Sequence, residues 1–202
     1  DEKLLLDSNK YSPPEFVPLK PPEKGIQLHL KPFEVLPNFE REFFQYTNLD
    51  ISEDIYANRI QIEMRPGSHH FILYSFIKNI NQSNLPEFDV ARELRYENGQ
   101  YNIETLRSMQ YHEFFNGTQW PRMDYKLPPG VAFRLDSNFG LDQNSHYVNR
   151  TDTIMVGEVY TNIHTIDKSE VLHEAKIINW SKQDIFLPAK KITKLNKSFY
   201  TN

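Results

Sequence analysis

Three histidines have the residue type and the setting of metal ligands. His69 and His70 are adjacent, follow Arg-Pro-Gly at residues 65–67, and open an apolar run that reaches Tyr74. His146 lies in a second strand-like segment, Asn-Ser-His-Tyr-Val-Asn at residues 144–149. Neighbouring imidazoles at the start of a strand suit a core poorly, whereas neutral imidazole binds copper, zinc, iron and nickel. The three histidines are therefore the first candidates for a metal site, with the metal left open.

Adjacent residues on a regular strand point to opposite faces, so His69 and His70 can share one ion only where the strand is distorted. Pro66 and Gly67 predict such a distortion, because proline cannot donate to the ladder and glycine often marks a bulge. Low coordination by imidazoles suits copper(I), whereas zinc prefers four tetrahedral ligands. The residues alone leave one alternative open, in which His69 is a surface side chain and His70 is buried and hydrogen-bonded.

Three further side chains are candidates for an additional ligand. His112, in a Gln-Tyr-His-Glu segment, is the best of them, although a histidine in a loop is more often exposed to solvent. Met109 and Met123 flank a Gly-Thr-Gln-Trp-Pro segment. Methionine is a soft ligand for copper, but filling gaps in a core is its commoner role.

Composition excludes several classes of protein. The 202 residues are 39% hydrophobic and 13% aromatic, which is enough for a core. A net charge of -4 with scattered basic residues argues against nucleic acid, and no apolar run is long enough to predict a membrane span. The absence of cysteine excludes disulfides, cysteine-bound zinc, iron–sulfur centres and a thiol nucleophile. A metal in this chain must be held by histidine, carboxylate, methionine or water.

The hydrophobic pattern predicts an all-β protein, a jelly-roll-like β-sandwich of antiparallel strands with long loops. Alternating or apolar segments predict strands at residues 26–30, 40–46, 56–64, 70–77, 131–135, 141–148, 156–166 and 171–178. Residues 167–170 are the expected hairpin connection between the last two strands. Residues 79–110 are the least determined, and they suggest a long loop or insertion that allows a helical turn or two within residues 86–96.

Several segments resemble the copper type II, ascorbate-dependent monooxygenases, a family that includes peptidylglycine α-hydroxylating monooxygenase and dopamine β-monooxygenase. Ser-His-His-Phe-Ile-Leu-Tyr at residues 68–74 is similar to the family's His-His segment. Leu-Pro-Pro-Gly-Val-Ala-Phe-Arg at residues 127–134 is similar to its Leu-Pro-x-Gly-Val-x-Phe-(Lys/Arg) stretch, and His146-Tyr147 to its third ligand position. Gly-Thr-Gln-Trp-Pro at residues 117–121 follows the pattern of bacterial members. The similarity runs in the family's order from about Gly25 to about Pro188.

The resemblance implies that His69, His70 and His146 bind the electron-transfer copper of a jelly-roll-like amino-terminal domain. In the complete family enzyme, a second domain binds another copper through a His-x-His pair and a methionine. There oxygen is activated and a substrate C–H bond is hydroxylated, with electrons that come from ascorbate. This chain contains no His-x-His. We therefore expect it to be a fragment or partner of a larger protein, or to have lost the chemistry, and not to be a competent enzyme alone.

Composition and the resemblance together predict an organisation and a location for the chain. We expect a proline-rich leader or strap over residues 1–25, a monooxygenase-like sandwich domain over residues 26–188, and a tail or link to a second domain over residues 189–202. The expected location is periplasmic or extracellular, on the cell surface of a bacterium. Expected partners are a second copper-binding domain or subunit and a small reductant such as ascorbate. The alternative is a non-catalytic interaction or scaffold module on the cell exterior, with structural or vestigial histidines.

Overall fold

The computed structural model describes residues 15–178, 184–198 and 200. Within them, eleven strands and one α-helix follow one another along the chain: β1 (Gly25–Val35), β2 (Phe39–Thr47), β3 (Ile55–Met64), β4 (Ser68–Phe76), β5 (Ala91–Glu93), α1 (Ile103–Met109), β6 (His112–Thr118), β7 (Arg122–Lys126), β8 (Val131–Leu135), β9 (Leu141–Asn149), β10 (Met155–Ile166) and β11 (His173–Ala175). Short 3₁₀ turns lie at Gln82–Asn84 and Lys168–Glu170. No helix in this described part is long and apolar enough to cross a membrane.

The strands form two sheets that pack against each other. The first sheet has the order β1-β10-β3-β8-β11, with β7 also paired to β3, and the second has the order β5-β2-β9-β4-β6. Strands β1 to β4 and strands β8 to β10 alternate between the two sheets along the chain, whereas β6 joins β4 in the second sheet. As a result, β1-β10-β3-β8 is opposed to β2-β9-β4-β6. That is the strand arrangement of a jelly roll. The prediction of an all-β sandwich is confirmed.

Strands β4 and β9 show how the sequence separates the core from the outer face of the second sheet. In β4, Phe71 and Leu73 are fully buried in the core between the sheets, and the residues that alternate with them face outward. Strand β9 is the central strand of its sheet, and nearly all its residues are buried on both faces. Its outward-facing side chains, which include Asp142, Asn144 and His146, are therefore polar and buried together.

The insertion between β4 and β6 extends the second sheet. Strand β5 pairs with β2, so the helical turn allowed within residues 86–96 is wrong. The helix lies later in the chain, at α1, where the Asn102 side chain accepts the backbone N–H of Glu104 at 3.1 Å. Asparagine is a favoured residue at this position because its oxygen satisfies an N–H that has no partner inside the helix. The insertion therefore contributes an edge strand to the second sheet and a capped helix, whose Thr105 hydroxyl donates to the Glu93 carbonyl oxygen of β5.

The prediction for residues 171–178 is wrong in both length and partner. Only the three residues of β11 form a strand, and they pair in parallel with β8 rather than as a hairpin with β10. The cause lies at the 3₁₀ turn that precedes β11, after which the backbone N–H groups of Leu172 and His173 both donate to the Gly130 carbonyl oxygen, at 2.8 and 3.0 Å. These two hydrogen bonds place β11 beside β8, at the edge of the first sheet, instead of beside β10.

Residues 15–24 run across the outer face of the first sheet. The Gln27 side chain donates to the Leu19 carbonyl oxygen at 2.8 Å. The Asn162 side chain donates to the Lys20 carbonyl oxygen, also at 2.8 Å. Residues 1–14 of the proline-rich leader lie outside the described residues. The described part of the leader is thus held to the sheet by side-chain hydrogen bonds to its backbone.

Glu158 makes the stability of the fold depend on pH. Its carboxylate is 2.9 Å from His29 Nε2 and accepts from Arg65 Nε at 2.8 Å. Burial alone would raise the pKa of Glu158, but its hydrogen bonds with His29 and Arg65 outweigh burial and hold that pKa below its usual 4.5. A carboxyl with a lowered folded-state pKa stabilises the fold above the unfolded pKa, and this contribution is lost as pH falls through the folded value.

We therefore expect Glu158→Gln to lower the free energy of unfolding near pH 7 and to lower it progressively less in acid. Urea unfolding of both proteins from about pH 7 to about pH 3 measures this difference. The glutamine has the same shape but cannot titrate, so it isolates the charge. A difference that stays constant over this range would contradict the assignment.

Candidate metal centre

A bulge at the start of β4 brings His69 and His70 to the same side of the sheet. Ser68 lies opposite Tyr147 and His70 lies opposite His146, so His69 is an extra residue in β4. The bulge follows Gly67, whose φ of 97° favours glycine, and a Cβ there would lie 2.3 Å from the sulfur of Met155. The distortion that the sequence predicts is therefore present.

His69, His70 and His146 form one cluster. One ring nitrogen from each histidine lies within 4.8 Å of those of the other two. The His70 Nδ1 atom is 3.2 Å from His69 Nδ1 and 3.3 Å from His146 Nδ1. Two nitrogens that each bind one ion at about 2.0–2.1 Å lie roughly 3.3–3.6 Å apart at tetrahedral to trigonal angles. The three histidines can therefore hold a metal ion.

In His146 and His70, the second ring nitrogen, Nε2, is hydrogen-bonded to a neighbouring side chain. His146 Nε2 lies 2.8 Å from Glu40 Oε1, and His70 Nε2 lies 2.9 Å from Asn144 Oδ1. Carboxylate and amide oxygens only accept, so each neutral ring donates from Nε2 and keeps a lone pair on Nδ1. The Asn144 amide is itself oriented, because its Nδ2 donates to the Phe43 carbonyl oxygen. Two lone pairs thus face each other across 3.3 Å, an arrangement that a cation stabilises.

Glu42 adds negative charge beside the rings. Its Oε1 lies 3.5 Å from His70 Nε2 and accepts from Asn144 Nδ2 at 3.3 Å. Burial alone would raise the pKa of Glu42, but its hydrogen bonds with His70 and Asn144 and the nearby His146 outweigh burial and lower that pKa. Burial alone would lower the pKa of His70, but Glu42 and Asn144 outweigh it and raise that pKa. The carboxylate therefore stays ionised, and its neighbourhood favours positive charge.

Burial differs among the three histidines. His146 is 7% exposed and burial lowers its pKa, so it is neutral near pH 7, which is the form that binds a metal. His70 is partly buried, and His69 is exposed. The cluster therefore has a closed side at His146 and a side at His69 that opens to solvent.

His112 is not part of this cluster, and the two candidate methionines lie in α1 and β7. His112 Nε2 lies 2.8 Å from Asp142 Oδ2, and its side chain is buried rather than exposed in a loop. Met123 is in β7, opposite Ile62, and packs against the core between the sheets. Met109 is the last residue of α1. Among the described residues, the group that can hold a metal is the set of three histidines.

Two residues that contact the three histidines were not among the sequence candidates: Glu40 and Glu42. Asn144, two residues before His146 in the sequence, also contacts them. Alternation puts Glu40 and Glu42 on one face of β2, and it puts Asn144 on the same face of β9 as His146. Glu42 lies directly opposite His146 in the sheet. The spacing Glu-x-Glu was visible in the sequence, but the pairing of β2 with β9 was not.

No protein-family model, no curated protein and no solved structure matches this chain. Its class is therefore defined by the fold and the site alone. It is an all-β sandwich that carries a cluster of three histidines, able to hold a metal ion, on the outer face of one sheet.

Proposed function

We propose that this chain is a copper-binding electron-transfer domain of a monooxygenase-like protein, with His69, His70 and His146 as the ligands. The observation that carries the proposal is the convergence of the Nδ1 atoms of these histidines, at 3.2 and 3.3 Å from His70. All three are imidazoles, a ligand set that suits copper without excluding zinc. The likeness of the two ligand segments to those of copper type II monooxygenases favours copper.

The residues of this chain prepare the site before a metal arrives. Glu40 and Asn144 accept the Nε2 protons, so the lone pairs of His146 and His70 point at one place. The exposed side of His69 leaves a path for a small reductant such as ascorbate or for a partner protein. Copper held there would supply one-electron exchange between Cu(I) and Cu(II). Three neutral imidazoles without a carboxylate among the ligands accommodate both states.

In this proposal, oxygen activation belongs to a second copper-binding domain or subunit, and the protein works in the periplasm or on the surface of a bacterium. Exposed apolar side chains in residues 184–198 support a partner, because large apolar side chains left in water often mark an interaction surface. Phe186 is 78% exposed, Leu187 70% and Ile192 93%. The chain would then supply the half of a monooxygenase that delivers electrons.

Copper titration of the purified chain tests the proposal. We expect one copper per chain, with nitrogen hyperfine structure in the electron paramagnetic resonance spectrum of the Cu(II) form. His70→Ala and His146→Ala should each weaken binding by more than the roughly 10–100-fold that loss of a group behind a ligand costs. His173→Ala is the matched control, because His173 is exposed on β11, outside the cluster, and should leave binding unchanged.

Two results would overturn the proposal. One is a wild-type chain that leaves copper in solution at modest excess. The other is retention of copper by both ligand variants with the same spectrum as wild type. Either result would favour the alternative, in which the sandwich is an interaction or scaffold module and the histidines serve the structure. Parallel titrations with zinc and with Cu(I) under reducing conditions establish which metal the cluster prefers.

A further inference from the structure

Strand β2 places two carboxylates behind the histidine cluster, and they differ sharply in exposure. The Glu42 side chain is 15% exposed, and its Oε1 lies 3.5 Å from His70 Nε2. The Glu40 side chain is 52% exposed, and its Oε1 lies 2.8 Å from His146 Nε2. Each carboxylate therefore touches one ligand ring on the side away from Nδ1. Their difference in burial makes them a natural pair for comparison.

Glu42 is fixed in place from two directions. It lies directly opposite His146 across β2 and β9, and its Oε1 accepts from the Asn144 amide at 3.3 Å. The same Asn144 side chain accepts from His70 Nε2 at 2.9 Å. Glu42, Asn144 and His70 therefore form one connected set whose members orient one another. A carboxylate held in this way keeps its charge at a constant distance from the metal position.

We infer that Glu42 is a positioning residue that sets the oxidation-state preference of the metal centre, because its fixed and largely shielded charge stabilises a divalent ion more than a monovalent one. The attraction between a fixed charge and an ion scales with the charge of the ion. Solvent and salt screen it weakly where the fixed charge is shielded from water. The inference rests on the proposed copper function. Its consequence is a site in which Cu(I) is disfavoured relative to Cu(II) and passes on its electron readily.

Glu40 serves as the internal control for this inference. Its carboxylate is closer to a ligand nitrogen than that of Glu42, but half of its side chain is in water. Exposed charge pairs contribute little because water and ions screen them. If the effect depended only on proximity, Glu40 would influence the oxidation-state preference more than Glu42. If the effect depends on a charge that is shielded from water and fixed in orientation, Glu42 should influence this preference more than Glu40.

The test measures Cu(II) and Cu(I) affinities separately, by chelator competition in air and under anaerobic reducing conditions. We expect Glu42→Gln to weaken Cu(II) binding by about 10–100-fold and Cu(I) binding far less. Each tenfold loss of Cu(II) affinity relative to Cu(I) affinity raises the one-electron potential by about 59 mV. Glu40→Gln should change that ratio by less than about fivefold. Glu42→Asp keeps the charge and should keep the wild-type preference.

The outcomes separate this inference from the copper proposal. A wild-type chain that binds no copper overturns the function, whatever Glu42 does. Wild-type binding combined with equal losses of Cu(I) and Cu(II) affinity in Glu42→Gln overturns the inference alone. A Glu40→Gln effect on the ratio as large as that of Glu42→Gln does the same. Unfolding curves of each variant establish that the fold is intact, and Glu42→Asp supplies the comparison should the glutamine variant be unstable.

Discussion

Replacing Arg92 with methionine should destabilise the fold by about 3–5 kcal/mol, the cost of leaving a buried charge without its partner. Asp142 is fully buried on the outer face of β9. Arg92 Nη2 donates to both of its oxygens, at 2.5 and 2.6 Å, and His112 Nε2 lies 2.8 Å from one of them. Without Arg92, the side-chain partner that Asp142 keeps among the described residues is His112. Urea or guanidinium unfolding at neutral pH, followed by circular dichroism, measures the loss.

A second arginine–aspartate pair in the same molecule provides the control. Arg59 donates to both oxygens of Asp124, from Nε and Nη2, but the two side chains are 35% and 46% exposed. Arg59→Met should therefore cost less than about 1 kcal/mol. The double variant Arg92→Met with Asp142→Asn should recover part of the stability, because it removes the charge as well as its partner. Equal losses for the two single arginine variants would contradict this account.

The long strands could be predicted because apolar and polar residues alternate along them. The wrong strand predictions occur where tertiary contacts override this local pattern. Residues 26–30 and 131–135 alternate, and both lie in strands. Residues 171–178 carry a similar pattern, yet only β11 forms there, since bonds to the Gly130 carbonyl oxygen fix its position. Nothing in the local sequence shows that a distant carbonyl will compete with the hairpin to β10.

The histidine cluster could be predicted because histidine side chains bind metals and two of them are adjacent in the sequence. The residues around the cluster could not be predicted, because they are brought there by strand pairing. His69 and His70 are adjacent, and Pro66 with Gly67 signals the distortion that lets them face one site. Glu42 became a neighbour of the cluster only through the register of β2 on β9. For the same reason His112 was misjudged as a loop residue. Its partner Asp142 is thirty positions away, and no local signal links them.

Phe71→Ala should unfold the domain more easily without changing the metal site. Phe71 is fully buried in the core between the sheets and directly follows a proposed ligand in β4. Removal of a buried phenylalanine side chain costs about 3–5 kcal/mol through lost burial and the cavity left behind. Because neighbouring residues on a strand face opposite sides, the rings of His70 and His146 keep their contacts with Asn144 and Glu40.

Chemical denaturation and copper titration of the same Phe71→Ala sample measure the two effects separately. Phe114→Ala is the control for stability, because Phe114 lies in the neighbouring strand β6 and is 43% exposed. It should cost about 1 kcal/mol or less. Copper affinity of the folded Phe71→Ala protein should equal that of wild type. A loss of affinity as large as that of His70→Ala, in a sample that remains folded, would show that the core side of β4 also positions the ligands and would contradict the division into two independent faces.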